Sequence, residues 1–311
     1  MIAEQSSSAM AESDDDLAGG FEWPELKYDD QQVHLEDLVE DATVDQNPYQ
    51  FGGRKSYIPA LGEIVEEAPE ESIFYWSKEM GEEGKNYGYL RLPSYDGSVS
   101  NYNAFGQTVN RLEANTEKLI LDQNHNPGGS VLYLYALVSL FADILLEFRY
   151  HQVKTVAFNV QEIEQRLTWL DAIDSDEGAK EIFGDSIQGY NVDLKFVQEY
   201  SVYLRGVLSE KLAGKELTRA LPLVGIEKIE PNTTYHYTKP VILLTDALCF
   251  SGGDFFPAIM QDNDRMLLVG QNTAGAGGYV NQIEGSEFPA SIKISSIRYT
   301  GSLAWRSNGF P

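Results

Sequence analysis

Apolar and polar positions along this chain fall into blocks whose period changes from segment to segment. Before Tyr49 there is no apolar period of either two or 3.6 residues, so order is expected to start there. Ser72–Trp76 and Tyr87–Leu92 are aromatic and β-branched runs around a polar turn at Gly81–Lys85, which predicts two strands. Phe105, Val109 and Leu112 recur at helical spacing and predict a helix over Asn103–Leu112. Lys118–Asp122 is a short apolar run that ends in a polar, glycine-rich loop, as a buried strand does. Val131–Leu146 reads as a long apolar helix. From about Val160 to Leu212 the pattern is mostly helical, with Ile163, Leu167, Leu170, Val197, Tyr200, Tyr203, Leu204 and Leu208 on inner faces. Strands return at Pro240–Leu244 and Met266–Val269, with a helix over Gly253–Gln261 between them. The alternation of Ile292, Ile294, Ile297 and Tyr299 predicts a final strand pair within Ser291–Leu303. Apolar strands alternating with helices define an α/β layered fold, here with a helical insertion around 160–213. No internal repeat is present.

Charge changes the picture at the N-terminus. Of the first 47 residues fourteen are acidic, and Lys27 is the only base. Residues 1–48 are therefore expected to be an acidic, disordered tail or linker, and 49–311 the folded core. A sharper reading makes the tail a docking or inhibitory segment over a cleft, with Trp23, Leu26 and Tyr28 as its anchors. The whole chain has 311 residues and a net charge of -25, which opposes nucleic acid and anionic membrane as partners. No apolar run approaches the roughly 20 residues that span a bilayer. Met1–Ala18 lacks the basic and apolar regions of a signal peptide, and no compartment follows from that. The single cysteine, Cys249, excludes an internal disulfide.

Three loops carry candidate chemistry. The first is Asp122–Ser130, where Gly128 and Gly129 precede a helix. Uncrowded backbone amides at the positive end of a helix suit an oxyanion hole, and equally an ordinary strand-to-helix turn. The second, Thr245–Asp254, places Ser251 where a strand gives way to a helix, flanked by Gly252 and Gly253. Such a serine is either a nucleophile on a tight elbow or a helix cap. Cys249 is a rival nucleophile, but Leu248 and Phe250 beside it predict a buried, inert thiol. The third, Val269–Gly278, is a glycine-rich turn with no lysine and no clear helix after it. A phosphate loop fits it poorly, and it is expected to wall the cleft beside Ser251 through Ala276 and Gly277.

Together these segments resemble the tail-specific, or C-terminal processing, serine proteases. The resemblance rests on the Asn126-Pro127-Gly128-Gly129 loop, the Ser251 loop opening a helix, and the Thr273-x-Gly275-x-Gly277 turn. It is strongest to a chlamydial branch of that family. Leu119–Leu140, Tyr237–Pro240, Phe250–Ser251 with Gly253–Asp254, Thr273–Gly278 and Gly301–Ala304 all match that branch. It implies a crotonase-like or Clp-protease-like core over about Phe51–Pro311. It also implies that Ser251 is the nucleophile and that the amides of Gly128, Gly129 and Gly252 form the oxyanion hole. No metal or organic cofactor is implied; the partners are protein or peptide substrates, and a homodimer or complementing fragments of one protease.

The general base departs from the commoner pattern. Ordinary members of the family carry a lysine about 25 residues after the serine, where this chain has Ala276. The chlamydial branch resembles a Ser–His–Glu triad instead, and its histidine and glutamate match positions outside this sequence. The chain alone is therefore expected to be inactive or nearly so, because a serine hydroxyl without a base is a poor nucleophile. His125 is the alternative base, with a loop-ordering role as its competitor. His236 is expected on the surface, and Lys239 at the far end of its strand from the serine. His34 and His151 have still less to connect them with Ser251. The 4 histidines show no metal-ligating spacing. The competing functional class is a non-catalytic peptide-binding or scaffold protein that keeps the protease shape. An acyl-CoA enzyme on the related fold is a third option, which the negative charge opposes.

Overall fold

The computed structural model describes residues 63–67, 75–79, 84–147, 150–284 and 295–306. The acidic segment 1–48 lies outside the described residues. In chain order the elements are β1 (Glu63–Glu67), β2 (Tyr75–Glu79), β3 (Asn86–Arg91), α1 (Val99–Asn115), β4 (Lys118–Asp122) and α2 (Val131–Phe141). Then come β5 (Leu146–Glu147), β6 (Tyr150–Val153), α3 (Val160–Leu170), α4 (Asp176–Phe183), β7 (Ser186–Ile187), β8 (Tyr190–Asn191) and α5 (Leu194–Leu212). The chain continues with β9 (Leu221–Pro222), β10 (Lys228–Ile229), β11 (Val241–Thr245), α6 (Gly252–Asp262), β12 (Leu267–Gly270), β13 (Val280–Glu284), β14 (Ser296–Thr300) and β15 (Ser302–Trp305).

A six-stranded sheet in the order β1-β2-β3-β4-β11-β12 organises the fold. β1, β2 and β3 form an antiparallel meander, while β3, β4, β11 and β12 run parallel. Parallel neighbours need crossovers, and α1, α2 with the helical insertion, and α6 supply them. Leu119, Leu121, Val241 and Leu243 face a core completed by Phe105, Val109, Leu137, Phe141, Phe256 and Ile259. α2 is buried on nearly every side, because its run Val131–Phe141 contains no charge to keep it at the surface. The expected helical region is α3, α4 and α5, with the short β7–β8 hairpin between α4 and α5.

Two expectations need correction. The helix predicted over Val131–Leu146 ends at Phe141, and Leu146 instead opens β5, which pairs with β10. A continuous apolar run does not reveal where a buried helix stops and a buried strand begins. The C-terminal strands exist, but they do not pair with each other. β14 joins β13 and β15 joins β6, with Gly301 alone between β14 and β15. One residue is too short for a hairpin loop, so the chain passes from one sheet to another there.

Candidate active site

Because β4, β11 and β12 are parallel neighbours, their carboxyl ends release three loops side by side. In open α/β sheets that edge is where ligands bind. The loops are tied to their neighbours at once: Gln123 N–H donates to Leu244 O (3.2 Å) and Gln271 N–H to Thr245 O (2.9 Å). The three motifs singled out in the sequence are these three loops.

The loop after β4 stands on a buried ion pair. Arg91 Nη1 donates to Asp122 Oδ1 (3.2 Å) and to Asp122 O (2.8 Å), and Tyr89 OH donates to Asp122 Oδ2 (2.5 Å). Asp122 Oδ1 also accepts Asn124 N–H at 2.9 Å, so the ion pair shapes the first turn of the loop. Asn126 shapes the rest: its Oδ1 accepts Gly128 N–H (2.9 Å), its Nδ2 donates to Leu92 O (3.1 Å), and its carbonyl accepts Phe250 N–H (3.0 Å). Gly128 has φ +99° and Gly129 φ +146°, conformations that L side chains rarely adopt. A Cβ at Gly128 would lie 2.7 Å from both Gly252 N and Ser251 Cβ, so only glycine lets the loops meet there.

The loop after β11 delivers Ser251 at the N-cap position of α6 with φ +49° and ψ -114°, an arrangement costly for a residue with a Cβ. Its side chain makes no capping bond. Ser251 N–H donates to Ala276 O at 3.1 Å, so the turn after β12 lies directly against the serine. Gly277 sits beside Asp254, the third residue after Ser251. That turn leads into β13 rather than a helix, which removes the phosphate-loop reading.

Pro257 adds a tie between the loops that the sequence pattern did not reveal. A proline inside α6 has no N–H for the carbonyl four residues back, which belongs to Gly253. That carbonyl accepts Gln123 Nε2 (2.7 Å), and Gln123 Oε1 accepts Tyr95 OH (2.7 Å). A single buried glutamine thus joins the glycine loop to the serine helix. The usable signal was a proline six residues after a serine at a helix start.

The structure brings together Ser251, Gly128, Gly252 and Ala276. The Gly128 amide is taken by Asn126, whereas among the described residues the amides of Gly129 and Gly252 have no hydrogen-bond partner. His125 lies beside the serine loop with φ +61°. Its ring Nδ1 contacts Asp246 Oδ2, and its N–H donates to Asp246 Oδ1 (3.0 Å). Burial pushes the Asp246 carboxyl up, but hydrogen bonds from His125, Cys249 and Leu248 outweigh it and leave the group below the usual carboxylate range. No hydrogen bond joins His125 to Ser251 among the described residues. Cys249 is fully buried, and its Sγ donates to Gln123 O (3.2 Å). Burial raises its thiol to about 11. His236 is exposed, and Lys239 Nζ donates to the carbonyls of Glu113 and Thr116 (2.5 Å each) behind the opposite end of the sheet. His151 is buried on β6, with Nδ1 3.1 Å from Ser302 Oγ. No group of His, Cys, Asp and Glu suited to a metal occurs among the described residues.

This arrangement, a serine on a strained strand-to-helix turn facing a glycine loop at the edge of a parallel sheet, is the core of an α/β serine-protease fold. The chain belongs to peptidase family S41, whose family profile matches residues 86–309. A protein of Chlamydia pneumoniae is 35% identical over 278 residues, covering 84% of this chain and 44% of its own. One of Chlamydia trachomatis serovar D is 36% identical over 275 residues, covering 84% and 45%. The crystal structure of mature CPAF aligns with a TM-score of 0.75 at 34% identity, covering 85% of this chain and 52% of that one. Mature CPAF complexed with lactacystin aligns with a TM-score of 0.75 at 33% identity, covering 90% and 53%. The chain thus spans about half the length of the relatives it matches.

Proposed function

We propose that this chain is the nucleophile-bearing core of a serine endopeptidase, with Ser251 as nucleophile and the Gly129 and Gly252 amides as oxyanion donors. Ser251 Oγ attacks a peptide carbonyl carbon while a base takes the hydroxyl proton. The amides hold the negative oxygen of the tetrahedral intermediate, and the base returns the proton to the departing amine as the C–N bond breaks. Water then hydrolyses the acyl-enzyme by the same route. The observation that carries this reading is the close approach of Gly128 to Ser251 and Gly252, with Ser251 in its strained conformation and the Gly129 and Gly252 amides without a partner among the described residues.

Among the described residues no imidazole, ammonium or carboxylate hydrogen-bonds Ser251 Oγ, and Ala276 fills the place of the usual lysine. In this reading the base lies outside the described residues, in a segment matching the part of the relatives that this chain does not span. Without it the chain binds peptides but turns them over near background. The absence of such a partner for Ser251 Oγ among the described residues is also what a second reading requires, a peptide-binding protein that never cleaves.

The deciding measurement is labelling by a fluorophosphonate probe, mapped by mass spectrometry, with Ser251→Ala as control and lactacystin as competitor. Slow labelling at Ser251, accelerated about a hundredfold or more when the complementing segments are added, is expected. Fast peptide hydrolysis by the isolated chain would refute the missing base. Absence of Ser251 labelling even with those segments present would leave the binding protein.

A further inference from the structure

The sequence Ser251-Gly252-Gly253-Asp254 before the apolar Phe255 and Phe256 has the form of a capping box. In such a box the serine Oγ accepts the N–H of the third helical residue, whose own carboxylate accepts the serine N–H. The start of α1 forms one: Ser98 Oγ accepts Asn101 N–H (3.2 Å) and Asn101 Oδ1 accepts Ser98 N–H (2.9 Å). α6 forms neither bond. Ser251 Oγ makes no capping contact, and Asp254 N–H goes to the Ser251 carbonyl at 2.9 Å. Ser251 N–H goes to Ala276 O instead (3.1 Å). The Asp254 carboxylate, buried at 8% exposure, accepts from Thr273 Oγ1 with one oxygen and from Ala276 N–H with the other.

We propose that Asp254 is a positioning residue that grips the Ala276 peptide, so that Ala276 holds the Ser251 backbone and Ser251 Oγ stays out of the helix cap. This inference rests on the reading of Ser251 as nucleophile. Ala276 is held on both sides, its amide by Asp254 and its carbonyl by Ser251, and the serine is thereby over-determined in a conformation it would otherwise leave. A capped serine would spend its hydroxyl lone pair on the helix. Both Asp254 oxygens point into the turn, so it acts through Ala276 and takes no proton in the reaction.

The test compares Asp254→Asn, which keeps an acceptor for the Ala276 amide and a donor for Thr273, with Asp254→Ala, which keeps neither. Two readouts are taken on the full chain at equal folded fraction. They are amide hydrogen exchange at Ser251 and Ala276, and the residual rate of Ser251 phosphonylation by diisopropyl fluorophosphate. Asp254→Ala is expected to speed exchange at both amides and to slow phosphonylation, each about tenfold, with Asp254→Asn within about threefold of the native chain on both. Unchanged exchange and labelling in Asp254→Ala would overturn the proposal. So would an Asp254→Asn chain as slow to label as Asp254→Ala, because charge rather than positioning would then be at work. If Asp254→Ala does not fold, Thr273→Val must loosen the Ala276 amide by about threefold, and no change there overturns the grip. A native chain that shows the exchange pattern but no phosphonylation above Ser251→Ala refutes the nucleophile and leaves the grip standing.

Discussion

Asp122 has no access to solvent, and Arg91 is 1% exposed. Their pairing is the support on which the glycine loop turns. Arg91→Ala leaves a buried carboxylate without its cation, an outcome that costs about 3–5 kcal/mol in comparable sites. Urea unfolding should show a loss of that size, and a change below about 1 kcal/mol would mean the loop does not depend on the pair. Cys249 gives a second test at this scale. Its thiol is raised to about 11 by burial, so it stays protonated where an unfolded thiol, near 8.5, has ionised. The folded state thus binds a proton that the unfolded state loses. The stability Cys249 contributes is complete below about pH 8.5 and declines as pH rises toward about 11. Iodoacetamide at pH 8 should leave Cys249 unmodified until denaturant is added, and rapid native-state alkylation would contradict its burial.

At the scale of elements, the proposed site is three loops from parallel strands, and each takes a shape its own residues do not dictate alone. The glycine loop needs Arg91 and the Leu92 carbonyl, the serine loop needs Ala276, and the turn after β12 needs Asp254. Because the Ala276 carbonyl already lies on the Ser251 amide, a lysine here would stand beside the serine. Ala276→Lys is therefore expected to supply a base in place and raise fluorophosphonate labelling of Ser251 at least about tenfold, with a pH dependence reporting a lysine of lowered pKa. Labelling that stays at the native rate would show that the turn does not present residue 276 to Ser251.

Over the whole molecule, the net charge of -25 repels itself in the compact state. Raising salt from about 10 mM to about 150 mM shortens the Debye length from about 30 Å to about 8 Å. The melting temperature should rise with it, and a fall would mean that favourable ion pairs outweigh the repulsion. The described pairs are few and mostly exposed, such as Arg205–Asp171 and Lys195–Glu230. No helix among the described residues is long and apolar enough to cross a membrane.

Much of this was legible in the order of residues. The strands β3, β4, β11 and β12 and the helices α1 and α6 announce themselves, because short apolar runs and 3.6-residue spacing are local properties. The family was also readable, since its three loop motifs are contiguous stretches. What the sequence by itself determined is therefore the set of parallel strands and the loops at their ends. Only the tertiary structure decided the rest. The end of α2 at Phe141, the separate partners of β14 and β15, the Gln123 tie opened by Pro257, and the release of Ser251 from its apparent capping box all depend on contacts between distant residues. Local patterning records which face a residue prefers. It does not record which of several available hydrogen-bond partners arrives, and at Ser251 the arriving partner is Ala276, twenty-five residues away.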